Sequence, residues 1–211
     1  MAKKTKEKKT SWKMMAWGLA VLATVFIISY YLFNSWGTIE YKNLVFSKEA
    51  YGDIIVYHHI YYFKDEGQVY KANIYLRNDP RTNKVPLEGD IAFYKDRPVY
   101  ISINSSGLSQ CEDISFAPQT LSSFLGSNLL TTKAGAPDIA FANVSNVPYV
   151  TCDTHPNNIV ILMQEGRNTS IVKNNNCHVI SISSCEMLPA VEKFIIETLA
   201  NAKERKKSVG E

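Results

Sequence analysis

Four cysteines carry the most reactive side chains of this 211-residue sequence: Cys111, Cys152, Cys177 and Cys185. An even number, all after a long apolar run near the N-terminus, predicts two disulfides in an oxidising compartment. Zinc is the alternative, because Cys152-x-x-His155 and Cys177-His178 each combine sulfur and nitrogen ligands. Neighbouring residues of a strand point to opposite faces, however, so Cys177 and His178 cannot both bind one ion. We therefore expect disulfides, with no metal and no other cofactor.

Geometry distinguishes the three possible pairings of these cysteines. If the segment between Cys177 and Cys185 is a strand, their Cα atoms are about 26 Å apart, whereas a disulfide needs about 4.4–6.8 Å. A hairpin that turns within residues 164–168 would instead bring Cys177 close to Cys152. Cys111 and Cys185 each follow a predicted strand and precede a predicted helix, so they share a sheet edge if those strands are parallel neighbours. The sequence thus predicts Cys152–Cys177 and Cys111–Cys185.

The densest polar cluster is the Asn78-Asp79-Pro80-Arg81 segment, which Arg77 directly precedes. Asn and Asp accept local backbone hydrogen bonds and Pro restricts φ, so we expect a turn at the end of a strand. Arg77, Asp79 and Arg81 are candidate binding residues, because a guanidinium group can donate paired hydrogen bonds to a carboxylate or a phosphate. The alternative is a structural turn whose arginines form local ion pairs.

The spacing of the remaining polar residues matches no known catalytic motif. The sequence has no G-x-S-x-G, phosphate-binding loop, dinucleotide fingerprint or calcium loop. His58 and His59 are adjacent in a predicted strand and therefore face opposite ways. A paired-carboxylate hydrolase needs two acidic side chains near one substrate, and spacing alone does not show such a pair. The sequence therefore favours a protein that is not an enzyme.

Residues 14–33 form a run of 20 residues without a charged side chain. As a helix rising about 1.5 Å per residue, the run is about 30 Å long, which matches the hydrocarbon core of a bilayer. It is longer than the apolar part of a signal peptide, and no A-x-A-like cleavage site follows it. Tryptophan and tyrosine flank both ends, as in interfacial belts. We predict one transmembrane helix that acts as a signal anchor.

The charge distribution sets the predicted topology. Residues 1–13 contain six lysines and one glutamate, so the positive-inside rule places this basic tail in the cytoplasm and the rest of the chain outside. Without the tail the net charge falls from +3 to −2, which argues against nucleic acid as a partner. We predict a juxtamembrane linker at 34–40, one extracytoplasmic domain at 41–202 and a charged C-terminal tail at 203–211.

Three N-x-S/T sequons lie in the predicted extracytoplasmic domain, at Asn104, Asn143 and Asn168. They are possible glycosylation sites in a host that has the required enzymes. Whether these asparagines are glycosylated therefore depends on the host in which the protein is made.

The pattern of the domain is typical of an α+β fold. Segments rich in Tyr, Ile and Val predict strands, five of them before residue 104. Apolar residues with helical spacing appear around 121–129 and again around 191–202. Two strands at 159–163 and 169–172 flank a predicted hairpin turn. We therefore expect a transmembrane helix followed by one disulfide-stapled domain with a mostly antiparallel sheet and two main helices.

Two segments, IYLRNDPRTNKVPLEG at 74–89 and CHVISISSCE with AVEKFI at 177–195, resemble sequences of uncharacterised single-pass membrane-anchored archaeal proteins. The resemblance extends over most of the domain. It implies a location in the envelope of a prokaryote and assigns no activity and no site residue.

These features together indicate a membrane-anchored cell-envelope protein that presents an extracytoplasmic binding or structural domain. Its expected partners are the lipid bilayer and an envelope protein or polymer. One alternative is a membrane-tethered extracytoplasmic hydrolase, which would bring carboxylates or a histidine together in a cleft. Another is an accessory subunit of a secretion or surface-appendage complex, which would expose an apolar patch.

Overall fold

The computed structural model describes the backbone of residues 4–209 and the side chains of residues 12–30 and 37–208. The described residues form α-helices and strands in the α+β arrangement predicted. The helices are α1 (Lys4–Trp36), α2 (Phe116–Ser127), α3 (Ile139–Ser145) and α4 (Met187–Val209). The strands are β1 (Thr38–Tyr41), β2 (Leu44–Tyr51), β3 (Ile54–Asp65), β4 (Gln68–Leu76), β5 (Leu87–Glu88), β6 (Val99–Ile103), β7 (Thr132–Gly135), β8 (Ile159–Glu165), β9 (Ser170–Asn174) and β10 (Cys177–Ile182).

Helix α1 contains the predicted apolar segment. Its stretch Trp12–Tyr30 has a mean hydropathy of 1.6, and none of it is covered by the rest of the described chain. By length and composition this helix can cross a membrane, although a signal sequence near an N-terminus meets the same criterion. Residues 34–36 of the predicted linker continue helix α1, and residues 38–40 belong to β1. Gly37 alone separates the helix from the domain.

Strands β1 to β4 form an antiparallel sheet in sequence order. The connection between β1 and β2 is two residues long, and both Lys42 and Asn43 have positive φ, as the twist of a tight hairpin requires. Alternate residues of the sheet face a shared core, among them Phe46, Ile74 and Leu76. The opposite face of this sheet is described below as a candidate site.

The second sheet has the strand order β5-β9-β10-β8-β6-β7. Its pairs β7–β6, β6–β8 and β8–β10 are parallel, and only β9–β10 is antiparallel. The expectation of a mostly antiparallel sheet is therefore wrong for this half of the domain. Helix α2 returns the chain to the start of β7, and such a crossover makes consecutive strands parallel.

The hairpin predicted at 164–168 is also wrong, because β10 lies between β8 and β9. Residues 159–163 of β8 are all buried, as expected for a central strand covered on both faces. The actual hairpin joins β9 to β10 at Asn175 and Asn176. The run of apolar residues correctly predicted β8 as a strand, but it did not indicate which strands pair with it.

Helix α4 packs against both sheets and α2, and it forms the centre of the core. Nearly every residue from Met187 to Ala200 is buried. Residues 203–209 of the predicted charged tail continue this helix, while 210 and 211 lie outside the described residues. Arg205 donates to both carboxylate oxygens of Asp90 at 3.0 Å, so the last turns of the helix are bound to the domain.

The structure has both disulfides with the predicted pairing. The Cα atoms are 5.3 Å apart in Cys111–Cys185 and 5.5 Å apart in Cys152–Cys177. Cys177 lies in register with Val160 of the parallel strand β8, and the loop before β8 carries Cys152. The pairing thus follows from a parallel neighbour rather than from the predicted hairpin. Two disulfides and one apolar N-terminal helix are typical of a secreted or extracytoplasmic domain.

Candidate functional site

The predicted polar turn is attached to helix α4 by a buried carboxylate. Glu192 accepts hydrogen bonds from the backbone N–H of Arg77 (2.5 Å) and of Asn78 (3.2 Å), and from the Asn78 side chain (2.8 Å). Glu192 is only 1% exposed. Burial raises the pKa of its carboxyl to about 7, although the bonds from Asn78 and Arg77 act in the opposite direction. This contact joins the end of β4 to the central helix.

The two arginines of the turn have partners within the chain. The Arg81 guanidinium donates to Asp79 through Nε at 3.0 Å and Nη2 at 2.6 Å, and this bond holds the pKa of Asp79 below its usual value. The Arg77 guanidinium lies over the Phe116 ring, 3.9 Å from its centroid. The geometry favours the structural interpretation of Arg77, Asp79 and Arg81, and anion binding by them stays a prediction.

The cysteine–histidine pairs do not converge. Cys152 and Cys177 form a disulfide with each other, so neither supplies a thiolate to a metal. His178 is fully buried between Phe93 and Phe194 on the core side of β10, whereas His155 is half-buried in the loop before β8, against the Tyr100 ring. Within the described part of the chain, no three His, Cys, Asp or Glu side chains form a group that could hold a metal ion.

The three sequons occupy different parts of the surface. Asn143 is exposed on α3, Asn168 is exposed in the loop after β8, and Asn104 is half-buried after β6. The Asn104 side chain accepts a hydrogen bond from the backbone N–H of Ser106 at 3.2 Å. Glycosylation at these positions stays a prediction.

A pocket of about 430 Å³ lies beside the Cys152–Cys177 disulfide, and His155 of the Cys152-x-x-His155 motif is among its lining residues. Its lining is rich in amides, from Asn158 and the run Asn174–Asn176. Asp153 is the one carboxylate among its described lining residues. The pocket therefore lacks the second carboxylate that a paired-acid hydrolase needs.

The feature that stands out is the face of the antiparallel sheet that points away from the core. We call this surface the outer face and define it by alternate residues of three strands: Val45, Ser47, Glu49 and Tyr51 of β2; Ile54, Val56, His58, Ile60 and Tyr62 of β3; and Val69, Lys71, Asn73 and Tyr75 of β4. Seven of its apolar side chains are between 42% and 64% exposed. An antiparallel sheet with one solvated face normally alternates apolar and polar residues, so this composition calls for an explanation.

A polar network lies in the middle of the outer face. The His58 ring contacts Glu49 Oε1 through Nδ1 at 2.6 Å and Asn73 Oδ1 through Nε2 at 3.3 Å. It stacks on the Tyr75 ring with centroids 4.3 Å apart. Tyr51 donates to the other Glu49 oxygen at 2.8 Å. The bond from His58, followed by that from Tyr51, lowers the pKa of Glu49.

This network is arranged for recognition rather than for nucleophilic catalysis. The Ser47 hydroxyl lies 3.2 Å from Glu49 Oε1 and 3.3 Å from the His58 carbonyl. A nucleophile activated by histidine must instead bond to a ring nitrogen. Both ring nitrogens of His58 already contact Glu49 and Asn73. Among the described residues, the outer face is therefore an exposed, largely apolar surface with the hydrogen-bonded Glu49–His58 pair at its centre.

A signal for the outer face was present in the sequence. Residues 54–63 and 69–76 are rich in Tyr, Ile and Val at both odd and even positions, so that each strand carries apolar side chains on both faces. The pattern alone is compatible with a strand buried on both sides. The face is identified as exposed only in the folded structure, where no described element packs over it.

The chain matches no family model, no curated protein and no solved structure.

Proposed function

We propose that this chain is a single-pass membrane protein with a cytoplasmic N-terminus and an extracytoplasmic binding domain. The uncovered apolar stretch Trp12–Tyr30 supports the membrane span. The lysines of residues 1–13 support the orientation, and the two disulfides support an oxidising compartment for the domain. The resemblance of residues 74–89 and 177–195 to membrane-anchored archaeal proteins is a further reason for an envelope location.

The outer face is the observation that carries the binding function. It exposes aromatic and branched apolar side chains around the Glu49–His58 pair. Exposed apolar patches with polar residues among them mark protein contact sites, and aromatic residues are enriched at the centres of such interfaces. The partner that fits best is a protein surface with a complementary apolar patch.

The size of the outer face restricts the kind of complex. With strands about 4.8 Å apart and a rise of about 3.4 Å per residue, the face of β2, β3 and β4 covers on the order of 500 Å². A standard protein interface buries about 800 Å² on each partner. The partner therefore contacts more than the outer face, or the complex is weak in solution and is strengthened by confinement of both proteins to one membrane.

Site-specific photocrosslinking tests this function. A benzoylphenylalanine is placed at Tyr62, which is 64% exposed on the outer face, or at Val144, which is 88% exposed on α3. In membranes of cells that make the full chain, we expect a discrete adduct from position 62 and none from position 144. The substitution Ile60→Asp, two residues along the same face, should reduce the adduct several-fold. Absence of an adduct specific to position 62 would refute the proposal.

A second candidate is an accessory subunit of a secretion or surface-appendage complex, because such a subunit also exposes an apolar patch. The mass of the adduct from position 62 distinguishes the cases: a component of such a machine supports this candidate, and a doubled chain mass identifies a second copy instead. The hydrolase alternative has less support, since Asp79 pairs with Arg81, Asp90 pairs with Arg205 and Asp138 caps helix α3.

A further inference from the structure

The hairpin between β2 and β3 extends past the end of the sheet at which helix α1 arrives. Strand β1 begins at Thr38, which lies in register with Ser47 of β2. Strand β2 continues for four more residues to Tyr51, and the backbone N–H of Lys48 donates to the Gly37 carbonyl at 2.7 Å. At about 3.4 Å per residue, the hairpin projects roughly 14 Å beyond the start of β1.

Helix α1 enters from the same side. It joins β1 through Gly37 alone, and its contacts with the domain are concentrated at β1. From Phe33, the last residue of the uncharged run, the helix runs three residues to Trp36. At about 1.5 Å per residue this distance is roughly 5 Å. The hairpin projection is therefore long enough to reach back to the level of the outer end of the uncharged run.

The projecting end of the hairpin carries exposed apolar side chains on both of its faces. Tyr51 and Ile54 are 59% and 51% exposed on the outer face. Ile55 belongs to the opposite face, which is covered by helices elsewhere in the sheet, yet it is 43% exposed. These two faces are exposed together because the hairpin extends beyond the core. Tyrosine is enriched at the headgroup level of membranes, and interfacial segments bury their apolar side chains at the boundary between headgroups and acyl chains.

The charges near this end are few. Glu49 is paired with His58 and accepts from Tyr51, Lys48 is exposed, and Asp53 lies exposed in the turn. Opposite charges at Lys48 and Asp53 suit a zwitterionic headgroup layer more than a strongly anionic one. The chemistry therefore points to the lipid interface rather than to an anionic protein surface.

We propose that the tip formed by Tyr51, Ile54 and Ile55 inserts into the headgroup region of the bilayer that α1 crosses. Tyr51 and Ile54, at one end of the outer face, then contact lipid, and the remainder of that face stays available to the protein partner. This inference rests on the proposed membrane span of α1. The tip and the helix then give the domain two attachments to one leaflet, which fixes the orientation of the outer face relative to the membrane. A partner in the same membrane meets the outer face at a defined angle.

Spin-label quenching of a single fluorophore tests the insertion. None of the four native cysteines is free, so Ile54→Cys or Val69→Cys supplies one reactive thiol for the dye in the full chain. Both positions are exposed aliphatic residues of the outer face, 51% and 62% exposed respectively. Ile54 lies at the start of β3, whereas Val69 of β4 pairs with Lys64 near the end of β3. At about 3.4 Å per residue, the two positions are about 35 Å apart along the sheet. The proteins are reconstituted in phosphatidylcholine vesicles that carry a nitroxide on a fraction of headgroups in both leaflets.

We expect the dye at position 54 to be quenched at least threefold more than the dye at position 69. Tyr51→Cys gives a second probe on the other strand of the hairpin and should behave like position 54. Equal quenching at 54 and 69, in protein retained by the vesicles after an alkaline wash, would overturn the insertion and leave the membrane span intact. Loss of the protein in that wash would overturn the membrane span and the insertion together.

Discussion

Replacement of Glu192 by glutamine is expected to remove a pH dependence from the stability of the domain. Glu192 is buried on α4, and this burial raises the pKa of its carboxyl from 4.5 to about 7 despite hydrogen bonds from Asn78 and Arg77. The folded chain therefore binds the proton more tightly than the unfolded chain. The stability contributed by this proton is fully present below pH 4.5 and is lost as the pH rises through 7.

The magnitude follows from the two pKa values. The interval from 4.5 to about 7, at about 1.4 kcal/mol per pH unit, corresponds to about 3 kcal/mol of unfolding free energy. Glutamine does not ionise, so a chain with Glu192→Gln should lack this loss. The variant should gain about 3 kcal/mol relative to the wild type when the pH rises from 4.5 to 8. This gain is independent of any constant offset that glutamine introduces through its contact with the Asn78 amide.

Urea unfolding of the full chain in a mild detergent, with both disulfides intact, measures this difference. The ellipticity of the domain is followed at several pH values between 4.5 and 8 for both proteins. Glu204→Gln provides the matched control, because it removes the same charge from an exposed position of the same helix. The control should follow the wild type throughout.

Two outcomes would contradict the reasoning. Parallel pH profiles of the wild type and Glu192→Gln would mean that the carboxyl has the same proton affinity in the folded and unfolded chains. A wild type that gains stability relative to the variant as the pH rises would mean that the three N–H donors outweigh burial. Both outcomes are distinguishable from a simple loss of stability, which shifts the two profiles by a constant amount.

Two further predictions concern other buried ionisable groups. Burial, with a smaller effect of Lys173, lowers the pKa of His178 to about 4, so its contribution to stability is present above pH 6.5 and is lost as the pH falls through 4. In the same urea experiment the wild type should lose about 3 kcal/mol of unfolding free energy on acidification, and His178→Leu should lack this loss. Equal losses in the two proteins would contradict the prediction. Glu197, which is 4% exposed, pairs with Lys42 at 2.6 Å and with Lys193 at 3.0 Å. At pH 8, Glu197→Gln should cost about 3 kcal/mol because the buried Lys193 ammonium loses its carboxylate partner. A cost no larger than that of Glu204→Gln would show that the pairs contribute nothing.

Local sequence patterns predicted elements better than they predicted neighbours. The apolar stretch within α1, strands β3 and β4 and the helices α2 and α4 were indicated by composition and periodicity, whereas β1 was not. The sequence did not show that β10 inserts between β8 and β9, because strand pairing depends on contacts between residues distant along the chain. The Cys152–Cys177 pair was nevertheless predicted correctly, since a parallel neighbour and a hairpin partner both bring that strand end close to residue 152.

The candidate site shows the same division. Tyr and Ile at successive positions of β3 were visible in the sequence, and so were the polar residues Glu49 and His58. Which of them are exposed depends on which face of the sheet α2 and α4 cover, and this is a property of packing. Likewise, the sequence marked Arg77 and Arg81 as possible anion ligands, whereas packing supplied Phe116 and Asp79 as their partners.

By itself the sequence determined the α+β class, the apolar segment near the N-terminus and the cysteines available for disulfides, because each depends on composition or on periods of a few residues. Tertiary structure decided the strand order, the burial of Glu192 and His178 and the exposure of the outer face. It also decided that the β2–β3 hairpin extends past the start of β1. These features depend on register and on which surfaces meet, and residues far apart in the chain acquire such relations only when it folds.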